Sequence, residues 1–154
     1  AYFIAYLSGL IFDAAGGTLP YASATVNLAN AKSSLGFTEA FLRGVGCNWL
    51  VCLAVFAAAA STETAGKIAA LWFPTMAFVA LGMEHCIANM FFIPLGILTG
   101  SDPRYTALVE AGKALPLKAD FYSFFVSNLL PVTLGNIVGG AVLVGMLYLA
   151  ANKK

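Results

Sequence analysis

Apolar positions run in long unbroken blocks along this chain, with the polar residues gathered between them. The blocks occupy residues 1–15, 38–61, 68–98 and 121–151. Each is longer than a membrane-barrel strand, and the apolar-polar alternation of such strands is absent. Crossing a hydrocarbon core takes roughly 20 helical residues, so block 38–61 predicts one complete helical span. Block 121–151 is long enough to tilt or protrude, with Pro131 as a candidate kink. Block 1–15 reads as the second part of a span ending at Asp13 and Gly16-Gly17, so the chain is expected to begin inside a helix. Block 68–98 exceeds one crossing and is interrupted, because Pro74 removes a backbone donor and Gly82 follows. It predicts two half-helices, 65–74 and 83–98, joined by an irregular link over 75–82.

The segments between the blocks are shorter and wetter. Residues 17–37 mix Ser, Asn, Ala and Gly around Pro20, too polar to span, and are expected along the surface in partly helical form. Residues 61–67 read as a polar turn. Residues 99–120 form a polar connection with Pro103 and Pro116, within which 104–113 can make a short helix. Small residues such as Gly44, Gly46, Gly135, Gly139 and Gly140 would let neighbouring helices approach closely.

Composition turns this pattern into a class. The chain is 60% hydrophobic and 10% charged, whereas soluble domains carry about 25% charged residues. An all-α, polytopic membrane protein follows, with lipid as its solvent and residues 1–154 forming one partial transmembrane domain. A net charge of +1 without a basic tract gives no footing for nucleic acid. Charge does not set the orientation either, since Lys32, Arg104, Lys113 and Lys118 on one side face Lys67, Lys153 and Lys154 on the other. Cys47, Cys52 and Cys86 lie in apolar segments, where cysteine behaves as a small hydrophobe. Cys47 and Cys52 fall on different helix faces and the chain has 1 histidine, so no metal and no cofactor is expected. Glu84-His85 is not a zinc-protease pattern, and no nucleophile–base pair or phosphate loop is present, so an enzyme is not expected.

The candidate chemistry sits in the interrupted block. Ionisable groups at membrane depth are expensive and usually mark a substrate path. Glu84 and His85 are expected on the first turn of the second half-helix, where free N–H groups and the helix dipole favour an anion, with Asn89 a turn below. Neutral imidazole can donate to an anion, and imidazolium can attract it or hand it a proton. The plain alternative is a histidine hydrogen-bonded between helices. Glu84 would repel an anion, so it reads as a helix-start or structural group. Asn48 and Asn136 lie mid-span and need partners whether they face a path or pack. Asn89 and Asn128 read as structural glue. Phe78, in the expected link, either packs or narrows a path. Lys32, just outside a span, either snorkels or gathers anions.

Three stretches carry a family resemblance. They are Arg-Gly-Val-Gly-Cys-Asn-Trp-Leu-Val-Cys-Leu-Ala at 43–54, Glu-His-Cys-Ile-Ala-Asn-Met-Phe-Phe-Ile-Pro at 84–94, and Asn-Leu-Leu-Pro-Val-Thr-Leu-Gly-Asn-Ile-Val-Gly-Gly at 128–140. In that order they closely resemble the formate/nitrite transporter family. The resemblance implies an aquaporin-like inverted-repeat fold of two helical triplets, of which this chain covers the second and part of the preceding helix. It also implies a cytoplasmic C-terminus, a multi-pass protein of the cytoplasmic membrane, and a homopentamer with one pore per protomer. By the same resemblance His85 is the central pore histidine, Asn48 and Asn136 stand near the pore, Phe78 forms a constriction, and Lys32 lies in an entry vestibule. The implied substrate is a small monovalent anion, formate first, with nitrite or hydrosulfide as alternatives. The remaining helices would come from the same or a second chain. A non-transporting scaffold that kept the fold is the alternative, against which the polar groups His85, Asn48 and Asn136 at mid-membrane argue.

Overall fold

The computed structural model describes residues 20–152; the span expected over 1–15 lies outside the described residues. The elements are helices α1 (Pro20–Ser33), α2 (Phe37–Ala60), α3 (Thr64–Ala80), α4 (Cys86–Gly100), α5 (Pro103–Glu110) and α6 (Ser123–Ala151). Helix α6 is wound as π-helix over Ser123–Leu129 and again over Val138–Met146. No strand occurs among the described residues. Helices α2 and α6 are long and apolar enough to cross a membrane, and α3 and α4 are shorter apolar helices.

The interruption between α3 and α4 differs from its expected place. Helix α3 runs straight through Pro74 to Ala80, so residues 74–80 are helical and the break occupies 81–85. Proline removes one bond from the ladder, a loss that membrane helices tolerate when neighbours re-satisfy the freed group. The stop is Gly82, at φ +63°, a left-handed conformation that glycine adopts without steric cost. The Gly82 N–H donates to the Val79 carbonyl at 3.1 Å and the Met83 N–H to the Phe78 carbonyl at 3.0 Å. That pair of bonds is the Schellman ending, in which a helix closes its own last carbonyls.

The chain forms two compact units. Of the described residues, the first holds 20–36 and Ile87–Leu129. Residues 17–37 were expected along the surface in partly helical form; 20–33 are helical, with Tyr21, Asn27 and Leu28 exposed and one face, Ala22, Val26, Ala29 and Ser33, buried at helical spacing. Tyr105 of α5 is fully buried against Ala22 and Val26. Farther along, Ala29 packs with Ile93 and Ile97, and Gly96 leaves the room that brings Ala29 against α4. Asn30 binds the irregular stretch that follows α5, donating to the Pro116 carbonyl and accepting from the N–H groups of Lys118 and Ala119. Helix α5 starts where the Asp102 carboxylate accepts from the Arg104 N–H at 2.9 Å. The hydrogen bond from the Arg104 side chain holds the Asp102 carboxyl below its ordinary range, which keeps this cap ionised.

The second unit holds Phe37–Cys86 and, of the described residues, 130–152. Here α2 and α6 cross at glycines. A Cβ at Gly135 would run into the Phe41 carbonyl and one at Gly139 into the Val45 carbonyl, while a Cβ at Gly44 would lie 2.8 Å from the Val132 carbonyl. The three glycines let the two backbones touch. Helix α3 has no buried residue, and Ile68, Leu71, Trp72, Phe73 and Val79 are exposed along it.

Candidate functional site

The site of the second unit is built on the break. Its link leaves the helix, and backbone groups outside a helical ladder still require hydrogen-bond partners, so its peptide groups need partners from elsewhere. Helix α2 supplies the first. Arg43 donates from its guanidinium to the Gly82 carbonyl at 3.0 Å, and the Arg43 carbonyl accepts a long 3.4 Å bond from the Glu84 N–H. Glu39, one turn earlier on α2, pairs with the same guanidinium at 2.6 Å. Beside them Met83 packs onto Gly46, where a Cβ would come within 3.1 Å of the methionine methyl.

Helix α6 supplies the second partner. Asn136 is 5% exposed, and its Nδ2 donates to the carbonyls of Gly44 at 2.8 Å and Glu84 at 3.0 Å. Its Oδ1 accepts from the Cys86 N–H at 2.9 Å. Two carbonyls require donors and one N–H requires an acceptor, which fixes which way the carboxamide is turned. Asn48 of α2 donates from Nδ2 to the backbone carbonyl of Asn136 at 2.7 Å. Gly140 makes that reach possible, because a Cβ there would strike the Asn48 amide.

Between these contacts stands His85, half-buried. Its ring lies 6.2 Å from that of Phe78, centroid to centroid, at an interplanar angle of 26°. Phe78 was expected in the link, but it belongs to the last turn of α3. Glu84 and His85 were expected on the first turn of α4, but both lie in the irregular link just ahead of Cys86, where α4 begins. Glu84 is buried, at 3% exposure.

The other candidate residues belong to the first unit. Asn89 Nδ2 donates to Asn128 Oδ1 at 2.7 Å, and Asn128 Nδ2 donates to the Lys32 carbonyl at 2.9 Å. Both asparagines are fully buried. This chain of amides fixes the end of α1 at the residue whose ammonium group was singled out. The residue that the sequence reading passed over is Arg43. Its contact with Gly82 spans 39 positions, and only its place at the head of the first motif marked it. Among the described residues no three His, Cys, Asp or Glu side chains gather as metal ligands.

Two helices long and apolar enough to cross a membrane, with a histidine in the backbone break that separates two shorter apolar helices in sequence, are the features of a helical membrane protein. The chain belongs to the formate/nitrite transporter family, whose model matches residues 1–150. It is 43% identical to a probable formate transporter of Methanothermobacter thermautotrophicus over 96% of this chain and 51% of that one. It is 42% identical to the formate channel FocA of Haemophilus influenzae over 77% of this chain and 43% of that one. Among solved structures, a pentameric formate channel with formate bound superposes with a TM-score of 0.80 at 37% identity, covering 97% of this chain and 58% of that chain. The chain thus spans about half the length of the curated relatives it matches. Its fold is the all-helical one of that family.

Proposed function

We propose that this chain supplies half of a pore that carries small monovalent anions across the cytoplasmic membrane, formate first, with nitrite and hydrosulfide as chemical neighbours. The observation that carries the reading is the break at 81–85, which presents His85 beside Phe78 in a member of this family. Relatives described as a probable formate transporter and a formate channel support the substrate, and the pentameric neighbour supports a homopentamer, in which each protomer has its own pore. A bare charge pays heavily to enter an apolar constriction. Proton sharing with His85 lets a weak acid cross that constriction as its neutral form. Phe78 sets the bore, Lys32 gathers anions by long-range attraction, and Asn48 and Asn136 serve the site from α2 and α6.

The test is His85→Asn in the protein purified from membranes and reconstituted in proteoliposomes. Asparagine keeps a hydrogen-bond donor and removes the titration. The expected result is formate flux with an altered pH dependence in an assembly that still forms. Flux at the wild-type rate with the wild-type pH profile would leave His85 a structural residue.

A further inference from the structure

We infer that Asn136 is the positioning residue for His85, its carboxamide committed to the backbone around the histidine and not offered to the anion. The inference rests on the pore reading and adds a division of labour within it. An anion is recognised by donors, and Asn136 has two. Both are used, one on the Gly44 carbonyl and one on the Glu84 carbonyl.

The groups it grips define what the grip does. The peptide plane between residues 84 and 85 carries the Glu84 carbonyl, and the plane between 85 and 86 carries the Cys86 N–H. Peptide planes are rigid, so the backbone at a residue has only the rotations of its two flanking planes. One carboxamide holds one group in each plane. It therefore sets φ and ψ of His85 together, and with them the direction in which the imidazole leaves the chain. Cys86 is the first residue of α4, whose leading N–H groups have no intrahelical acceptor, and Glu84 lies in the link.

The clamp is itself braced. Asn48 holds the Asn136 carbonyl, and Gly135 and Gly139 seat α6 against α2 on either side of it. A side chain that only filled space would need none of these bonds, and one that met the anion would need a donor left over.

The experiment pairs amide exchange with flux. In the assembled wild-type protein, the Cys86 amide should exchange slowly. In Asn136→Ala its protection should fall about tenfold or more, as a local opening does when its bond is lost. Maximal formate flux should fall about tenfold, the pH profile should move toward that of His85→Asn, and half-saturation should stay within about twofold. The double variant His85→Asn/Asn136→Ala should be no worse than His85→Asn alone, since Asn136 acts through the histidine. Asn136→Ser, which keeps one donor and one acceptor, should fall between. The inference is overturned by a tenfold rise in half-saturation with Cys86 exchange and pH profile unchanged, which is the mark of direct contact with the anion. Additive losses in the double variant would overturn it too. If neither single variant assembles, a rapidly exchanging Cys86 amide in the wild type overturns it and a protected one upholds it. A wild-type protein that moves no formate would sink the pore reading, while the exchange data would still decide the clamp.

Discussion

Phe78 meets His85 from the end of a helix and not from a loop, and that changes what its ring can do. A residue in the last turn of α3 is carried by a backbone that closes its own carbonyls at Val79 and Phe78. The ring is therefore held at 6.2 Å from the imidazole on a rigid support, able to narrow a path by bulk and by excluding water. Phe78→Ala should raise formate permeability several-fold and admit larger carboxylates such as lactate, measured as uptake into proteoliposomes. An unchanged rate and size cut-off would make the ring simple packing. Arg43 works at the same scale with a different currency, a charged donor on a carbonyl, which is among the stronger hydrogen bonds available.

At the level of elements, the contact between α2 and α6 does most to shape the site. Backbone touches backbone at Gly135 and Gly139, so Asn48 and Asn136 are brought within hydrogen-bonding reach of each other. Gly139→Leu puts a bulky group where a carbonyl now sits. Overpacking of a tight contact costs about 1–3 kcal/mol, and the expected outcome is a lower thermal midpoint in detergent with weakened protection of the Cys86 amide. A midpoint and exchange rate equal to wild type would mean the crossing is looser than its geometry. The glycines of this contact were legible as a small-residue face, because size is written in each position alone. The place of the break was only half legible. Pro74 and Gly82 both looked like breakers, and the glycine decides, since its φ of +63° suits few other residues whereas a proline can be carried inside a helix. The buried face of α1 escaped notice because it is made of Ala22, Val26, Ala29 and Ser33. Side chains that small leave little contrast against a polar background.

For the whole molecule, class and family were open to reading because hydrophobic blocks and three long motifs are local in sequence. The wiring of the site was not, because it joins distant positions: 92 residues separate Gly44 from Asn136, and 88 separate Asn48 from the carbonyl it holds. Helix α3 keeps its apolar residues exposed and has no buried position.

The helix stop at Gly82 has a consequence for biosynthesis. Its bonds come from Val79 and Phe78, so the turn can close as soon as this segment has been translated. The clamp comes 50 residues after Cys86, a delay of about 3–10 s at ordinary elongation speeds. The break should thus take shape early and be locked late, when α6 arrives. Ribosome-stalled chains ending before α6 should already show the Gly82 turn with a freely exchanging Cys86 amide, and protection should appear only in chains released beyond Asn136. Protection in the shorter chains would mean that something other than α6 holds the link during insertion.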